Sequence, residues 1–185
     1  TQDIEQAHLV YGFPWYAQGD PRRFAGSVLT SVLGGSMSSR LFQEVREKRG
    51  LVYSIFATQS AYQGAGLWCV YAGTRLANVA EAKTLIEAEL RRISEELVPQ
   101  EELQRNIDLI CGQLALGFET SAAHMNRLGK RAALGLPQDS LDELIEQYRL
   151  VDANTIRDLA QAYLTKEPLL ALVSPASEQE VLQLI

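Results

Sequence analysis

The chain has 185 residues, 46% of them apolar, enough for one sizeable core within a single domain spanning 1–185. Its net charge of -6 argues against the concentrated Lys/Arg surface that nucleic-acid binding needs, so no nucleic-acid partner is expected. No apolar run approaches the roughly 20 residues of a membrane span, and the N-terminus TQDIEQAHLV lacks the regions of a signal peptide. A cytoplasmic location with no membrane partner is the expectation.

The first residue is threonine rather than methionine, which reads as a fragment or a processed chain. Only Cys69 and Cys111 are present, each inside an apolar segment, and both are expected to be buried free thiols.

From Gln6 to Pro14, QAHLVYGFP is rich in strand formers and reads as a first strand. A helix follows, with Asp20 as N-cap, Pro21 at the first helical position, and Phe24, Val28, Val32 and Leu33 on its buried face. It ends at Gly34 and Gly35. A shorter helix is expected from about Ser39 to Arg49, with a serine cap, Leu41, Phe42 and Val45 turned inward, and Gly50 as the left-handed residue after it. The runs LVYSIFATQSAY and LWCVYAGT, separated by QGAG, read as a hairpin.

Helices dominate the rest. Val79, Ala82, Ile86, Leu90, Ile93 and Leu97 form one stripe, and Leu103, Ile107, Ile110, Leu114 and Phe118 another that opens at Pro99. Met125, Leu128 and Ala132 mark a further helix closed by Gly135 and Pro137. Ser140 with Glu143 has capping-box spacing, and Asp152 caps the helix bearing Ile156, Leu159 and Tyr163. LLALVS, residues 169–174, reads as a last, central strand, and Ser177 with Glu180 starts a terminal helix. This order predicts an α+β fold, an antiparallel sheet of about four or more strands covered by helices.

Self-contained catalysis finds little support. His8 and His124 have no Glu-x-x-His neighbourhood, GGSMSS is not a nucleophile elbow, and no phosphate-binding glycine pattern occurs. No metal ligands and no catalytic residues are assigned in this chain. What remains is the polar segment LGGSMSSRLFQEVREKRGLVYS, residues 33–54. Gly34 and Gly35 permit positive φ and close backbone approach, while Ser36, Ser38 and Ser39 supply hydroxyls and free amides. Such a loop can hold a peptide carbonyl, and equally it can simply end one helix and cap the next. Arg46 falls in the last turn of the short helix and Tyr53 just inside the following strand. If Gly50 reverses the chain, both reach one groove as donors; otherwise they are a surface arginine and a half-buried tyrosine. Glu44 and Lys48 stand at i and i+4 as an exposed pair.

The segments EQAHLVYGFP, VLGGSMSSRLFQEVREKRGLVYSI and GLWCVYAGT closely resemble the C-terminal half of an M16 zinc metallopeptidase subunit. That family includes pitrilysin, insulin-degrading enzyme and the mitochondrial processing peptidase, and the likeness is to its bacterial processing-protease branch. The resemblance implies an M16 peptidase-like domain whose zinc and H-x-x-E-H motif belong to an absent N-terminal catalytic domain. It further implies that Arg46 and Tyr53, seven residues apart, contact a peptide substrate near the scissile bond. It places Gly34, Gly35 and Ser36 where relatives carry a glycine-rich substrate loop. The implied partners are that N-terminal domain, a peptide, and a homodimer or second M16-like subunit. The alternatives are a domain of a non-catalytic M16-like scaffold subunit and a free-standing peptide-binding module.

Overall fold

The computed structural model describes residues 4–177 and 180. In chain order the elements are β1 (Ala7–Trp15), α1 (Arg23–Gly34), a π helix (Phe42–Glu47), β2 (Val52–Ala61), β3 (Gly66–Thr74) and a short 3-10 turn (Leu76–Asn78). They continue through α2 (Val79–Glu95), α3 (Gln100–Gly117), α4 (Ser121–Ala133), α5 (Leu141–Arg149), α6 (Ala153–Leu164) and β4 (Leu169–Val173). The four strands make one antiparallel sheet in the order β2-β3-β1-β4, the α+β architecture expected from the sequence.

Alternation builds the sheet's two faces. Leu9, Tyr11, Phe13 and Trp15 of β1, with Trp68, Val70 and Ala72 of β3, are buried under the helices. Phe24, Val28, Leu29, Val32 and Leu33 of α1, Ile86, Leu90 and Ile93 of α2, and Ile156 and Leu159 of α6 complete one core cluster. The opposite face carries His8, Val10, Cys69 and Tyr71 half-buried, and it leaves Phe56, Leu67, Leu169 and Val173 exposed. Ladder partners set these side chains in rows, with Phe56 opposite Tyr71, Tyr71 opposite Val10, and Leu169 opposite Gly12.

Several expectations change. LLALV is not a central strand: β4 is an edge, with Leu169 74% exposed. Its unbroken apolar run arises because Leu170 and Leu172 face the core while Leu169, Ala171 and Val173 lie on the uncovered face. Neither cysteine is fully buried. Cys69 sits on the uncovered face, and Cys111 lies in the half of α3 beyond Ile107, where no residue is buried. Both remain free thiols, pushed above the ordinary range chiefly by partial burial.

The opening of α1 is a turn with the regular helix starting at Arg23, yet Asp20 still accepts the Arg22 N–H at 2.8 Å. The Ser140–Glu143 capping box and the Asp152 cap form as read. Ser177 donates its N–H and its hydroxyl to Glu180 at 2.9 and 2.8 Å; the rest of that terminal helix lies outside the described residues.

Candidate functional site

α1 ends where Gly34 meets β2. A Cβ on Gly34 would lie 2.2 Å from the Ala57 nitrogen, so glycine here serves close approach of helix to strand. Neither Gly34 nor Gly35 uses a left-handed φ, and Gly35 sits at φ -87. Beyond them the loop ties its own groups together. The Ser39 hydroxyl donates to the Ser36 carbonyl at 2.6 Å, the Ser36 and Ser38 hydroxyls pair at 3.0 Å, and the Gln43 amide donates to the Met37 carbonyl at 2.7 Å. Ser39 is therefore not a side-chain cap for the next helix. Its hydroxyl is buried in the turn that precedes it.

The helix that follows is wound wider than an α-helix. The Lys48 N–H reaches the Gln43 carbonyl five residues back at 3.0 Å, which defines the π helix Phe42–Glu47. Leu41 and Val45 hold it to the core, as expected, with Phe42 only half-buried. Arg40, just before it, is 8% exposed and makes a bidentate pair with Glu102 of α3 at 2.9 and 2.7 Å. One further Arg40 nitrogen, Nη1, and the Glu89 Oε2 of α2 are buried with no hydrogen-bond partner among the described residues.

Gly50 then adopts φ +62, as anticipated, and its N–H and that of Leu51 turn back onto the carbonyls of Arg46 and Val45 at 2.9 and 3.1 Å. This fixes the backbone of Arg46. Its guanidinium lies 4.7 Å from the Phe42 ring centroid, a cation–π contact that lays the side chain along the surface. Glu44 is engaged by Lys48 at 2.5 Å and Arg49 at 3.3 Å, which hold its carboxyl below the usual range. No carboxylate pairs with Arg46 among the described residues.

Tyr53 occupies a β-bulge. Val52 pairs with Thr74 and Ser54 with Gly73, so Tyr53 is the extra residue that no β3 residue faces. Bulges re-aim a side chain, and here the phenol is 48% exposed. Its hydroxyl accepts the Nε–H of Arg75 at 2.8 Å, and the Arg75 guanidinium carbon lies 6.0 Å from the ring centroid.

The structure thus brings Arg46 and Tyr53 to the two sides of one helix-to-strand reversal, but no hydrogen bond joins them. Arg75, which the sequence reading passed over, is the residue in direct contact with Tyr53. Its signal was present in the hairpin register. Counting back from the Tyr62–Ala65 turn without the bulge puts Tyr53 opposite Thr74, the neighbour of Arg75; the bulge, which leaves Tyr53 unpaired, is visible only in the fold.

Among the described residues no group of three or more His, Cys, Asp or Glu side chains is arranged to hold a metal. The His8 Nδ1 pairs with the Tyr71 hydroxyl at 2.8 Å, and His124 of α4 lies edge-on to Phe118 at 5.8 Å. Nor is any described helix long and apolar enough to cross a membrane. Two cavities enclosed between elements of the fold lie away from Arg46 and Tyr53. One of about 470 Å³ is walled by Ser31, Gln59, Leu114, Phe118, Arg127 and Tyr148, and another of about 390 Å³ lies between Tyr11, Glu87, Leu90 and Lys166.

Fold and site together define an α+β domain that presents donors on an open surface and does not enclose them in a pocket. The chain belongs to the M16 peptidase family: residues 1–110 match the family described as "Peptidase M16 inactive domain". It is 38% identical over 180 residues to an "Uncharacterized zinc protease" of Streptomyces coelicolor, covering 97% of this chain and 39% of that protein. It is 35% identical to the "Uncharacterized zinc protease YmxG" of Bacillus subtilis, covering 95% of this chain and 43% of that one. The chain therefore spans about two-fifths of the length of the curated relatives it matches.

Solved structures share the fold. A peptidase M16 inactive domain from Pseudomonas fluorescens superposes with a TM-score of 0.85 at 22% identity, over 93% of this chain and 42% of that one. A protease from Helicobacter pylori gives 0.86 at 19% identity, over 95% and 42%. A chain of Complex III2 from Candida albicans gives 0.81 at 17% identity, over 93% and 43%.

Proposed function

We propose that this chain is the substrate-side, non-zinc domain of an M16 zinc metalloendopeptidase, paired in its parent protein with an N-terminal domain that holds the metal. One observation carries the reading. A chain related along nearly its whole length to proteins named zinc proteases presents two exposed donors, Arg46 and Tyr53, from a single rigid reversal.

The described residues of this chain do not fit a zinc ligand set, so its own part is to bind and orient. The Arg46 guanidinium offers a fixed fork of N–H donors, and the Tyr53 phenol offers one O–H. A scissile carbonyl gains negative charge as it is attacked, and donors already held in place stabilise that charge without reorganising. The uncovered sheet face, with Phe56, Tyr71 and Leu67, supplies part of the wall of a peptide chamber; of the loop glycines and serine, Gly34 is buried against β2, which leaves the exposed Gly35 and the half-buried Ser36 to meet the peptide. A zinc held by the companion domain would supply activation of the attacking water, leaving this chain's residues to bind and orient the peptide.

The fold likeness to a Complex III2 chain keeps a second reading in view, a domain of a non-catalytic M16-like scaffold subunit. Metal analysis and peptide hydrolysis separate the two. The parent protein is expected to hold one zinc and cleave unfolded peptides, while the isolated 185 residues hold none and cleave nothing. A parent without zinc and without activity would favour the scaffold, and stoichiometric zinc on the isolated chain would overturn the division of labour proposed here.

A further inference from the structure

We propose that Arg75 is a positioning residue that fixes the Tyr53 hydroxyl as a hydrogen-bond donor to substrate; this rests on the peptidase reading above and names a residue which that reading does not contain.

The argument is one of donor and acceptor counting. A phenol has one hydrogen to give and lone pairs to receive, whereas a guanidinium only gives. The Arg75 Nε–H donates to the Tyr53 oxygen at 2.8 Å. The phenolic hydrogen therefore cannot point at Arg75, and no acceptor among the described residues takes it. Tyr53 is 48% exposed, so that hydrogen is left for a ligand acceptor such as a peptide carbonyl. A hydroxyl that already accepts from a cation is polarised, which makes its O–H a stronger donor.

The surrounding backbone holds this geometry from both sides. The Leu51 carbonyl, two residues before Tyr53, accepts from the Thr74 hydroxyl at 2.5 Å and from the Asn78 side-chain amide at 3.0 Å. Arg75 stands between those two donors, with its carbonyl accepting the Asn78 N–H at 2.9 Å. Thr74, Arg75 and Asn78 thus clamp the entry to β2 as a unit. The bulge sends Tyr53 outward at the point where Arg75 leaves β3. No carboxylate competes for Arg75 among the described residues.

The test uses the full-length parent protein and a quenched-fluorescent peptide, with Arg75→Ala, Arg75→Lys, Tyr53→Phe and the Arg75→Ala/Tyr53→Phe double variant. Arg75→Ala is expected to lower kcat roughly tenfold with KM nearly unchanged, because misplacing a donor costs transition-state contact more than binding. Arg75→Lys is expected to recover most of the rate, since an ammonium can still donate to the phenol. In the Tyr53→Phe background, Arg75→Ala is expected to cost nothing further. An unaltered Arg75→Ala enzyme, a loss confined to KM, or a full additive loss in the double variant overturns the assignment while leaving the Tyr53 role intact. A parent protein that cleaves no peptide, or a Tyr53→Phe variant as active as wild type, overturns the underlying reading and the Arg75 assignment with it.

Discussion

Replacing Gly34 with alanine tests whether the last turn of α1 is seated on β2 by backbone contact. The new Cβ would lie 2.2 Å from the Ala57 nitrogen, 2.7 Å from the Ala57 Cβ and 2.9 Å from the Phe56 carbonyl carbon. Ordinary contact begins at 3.4 Å, so helix and strand must part by about 1.2 Å. No side chain can rotate away to absorb this, because the nearest atom is backbone inside a paired strand. Lifting the helix end also loosens Leu33, which is fully buried. Overpacking of this kind costs typically 1–3 kcal/mol, and the rigidity of both partners places it near about 3 kcal/mol. At roughly 2–4 °C per kcal/mol for a domain of this size, Tm should fall by about 6–12 °C. Circular dichroism melts of the parent protein measure it, with Gly64→Ala as control, since a Cβ there meets nothing within 4 Å. A Gly34→Ala melt within about 2 °C of wild type would refute the reasoning.

Two further substitutions probe the ion pairs behind the site. Arg40→Ala strips the partner from Glu102 and leaves Glu89 with one fewer cation nearby, so a loss of about 3 kcal/mol in urea unfolding is expected. Glu44→Ala, which breaks only exposed pairs, should cost under about 0.5 kcal/mol, and equal costs for the two would contradict the burial argument.

Glu89 is pushed above the usual carboxylate range, mainly by burial, so the folded state binds its proton more tightly than the unfolded chain does. Its contribution to stability is complete below the unfolded carboxylate range and is lost as pH rises through the raised folded value. Glu89→Gln, which cannot ionise, should therefore exceed wild type in urea midpoint near about pH 8, and the gap should shrink toward about pH 4. A gap that stays constant with pH would show that Glu89 is not the group titrating.

Much of the architecture was legible because local signals and tertiary packing agree. The stripe Val79, Ala82, Ile86, Leu90 and Ile93 could face only one core, the Gly-containing turn could join only antiparallel strands, and Gly50 took the left-handed conformation its position called for. The misreadings have physical causes. An apolar run such as LLALV looks the same whether both faces are covered or one face of the sheet is left open. The π winding leaves Leu41 and Val45 inward just as an α-helix would, so one wide turn leaves no trace in the spacing.

Arg40 reads as a surface charge until Glu102, 62 residues away, is brought beside it. The bulge at Tyr53 is a matter of register between strands, not of residue type. Its partner Arg75 therefore had no motif to announce it. For the site, REKRGLVY supplied the two donors and the reversal between them; the clamp formed by Thr74, Arg75 and Asn78 required the fold.

The central claim, that this domain contacts substrate while another holds the metal, is tested most directly by measuring peptide turnover and zinc content together in the parent protein carrying Arg46→Ala or Tyr53→Phe. Loss of one donor to a developing oxyanion costs about a hundredfold in turnover at solvent-excluded sites, so each variant should lose roughly ten- to a hundredfold in kcat/KM while keeping its zinc at wild-type stoichiometry. Unchanged cleavage by both variants, or loss of zinc in step with activity, would contradict it.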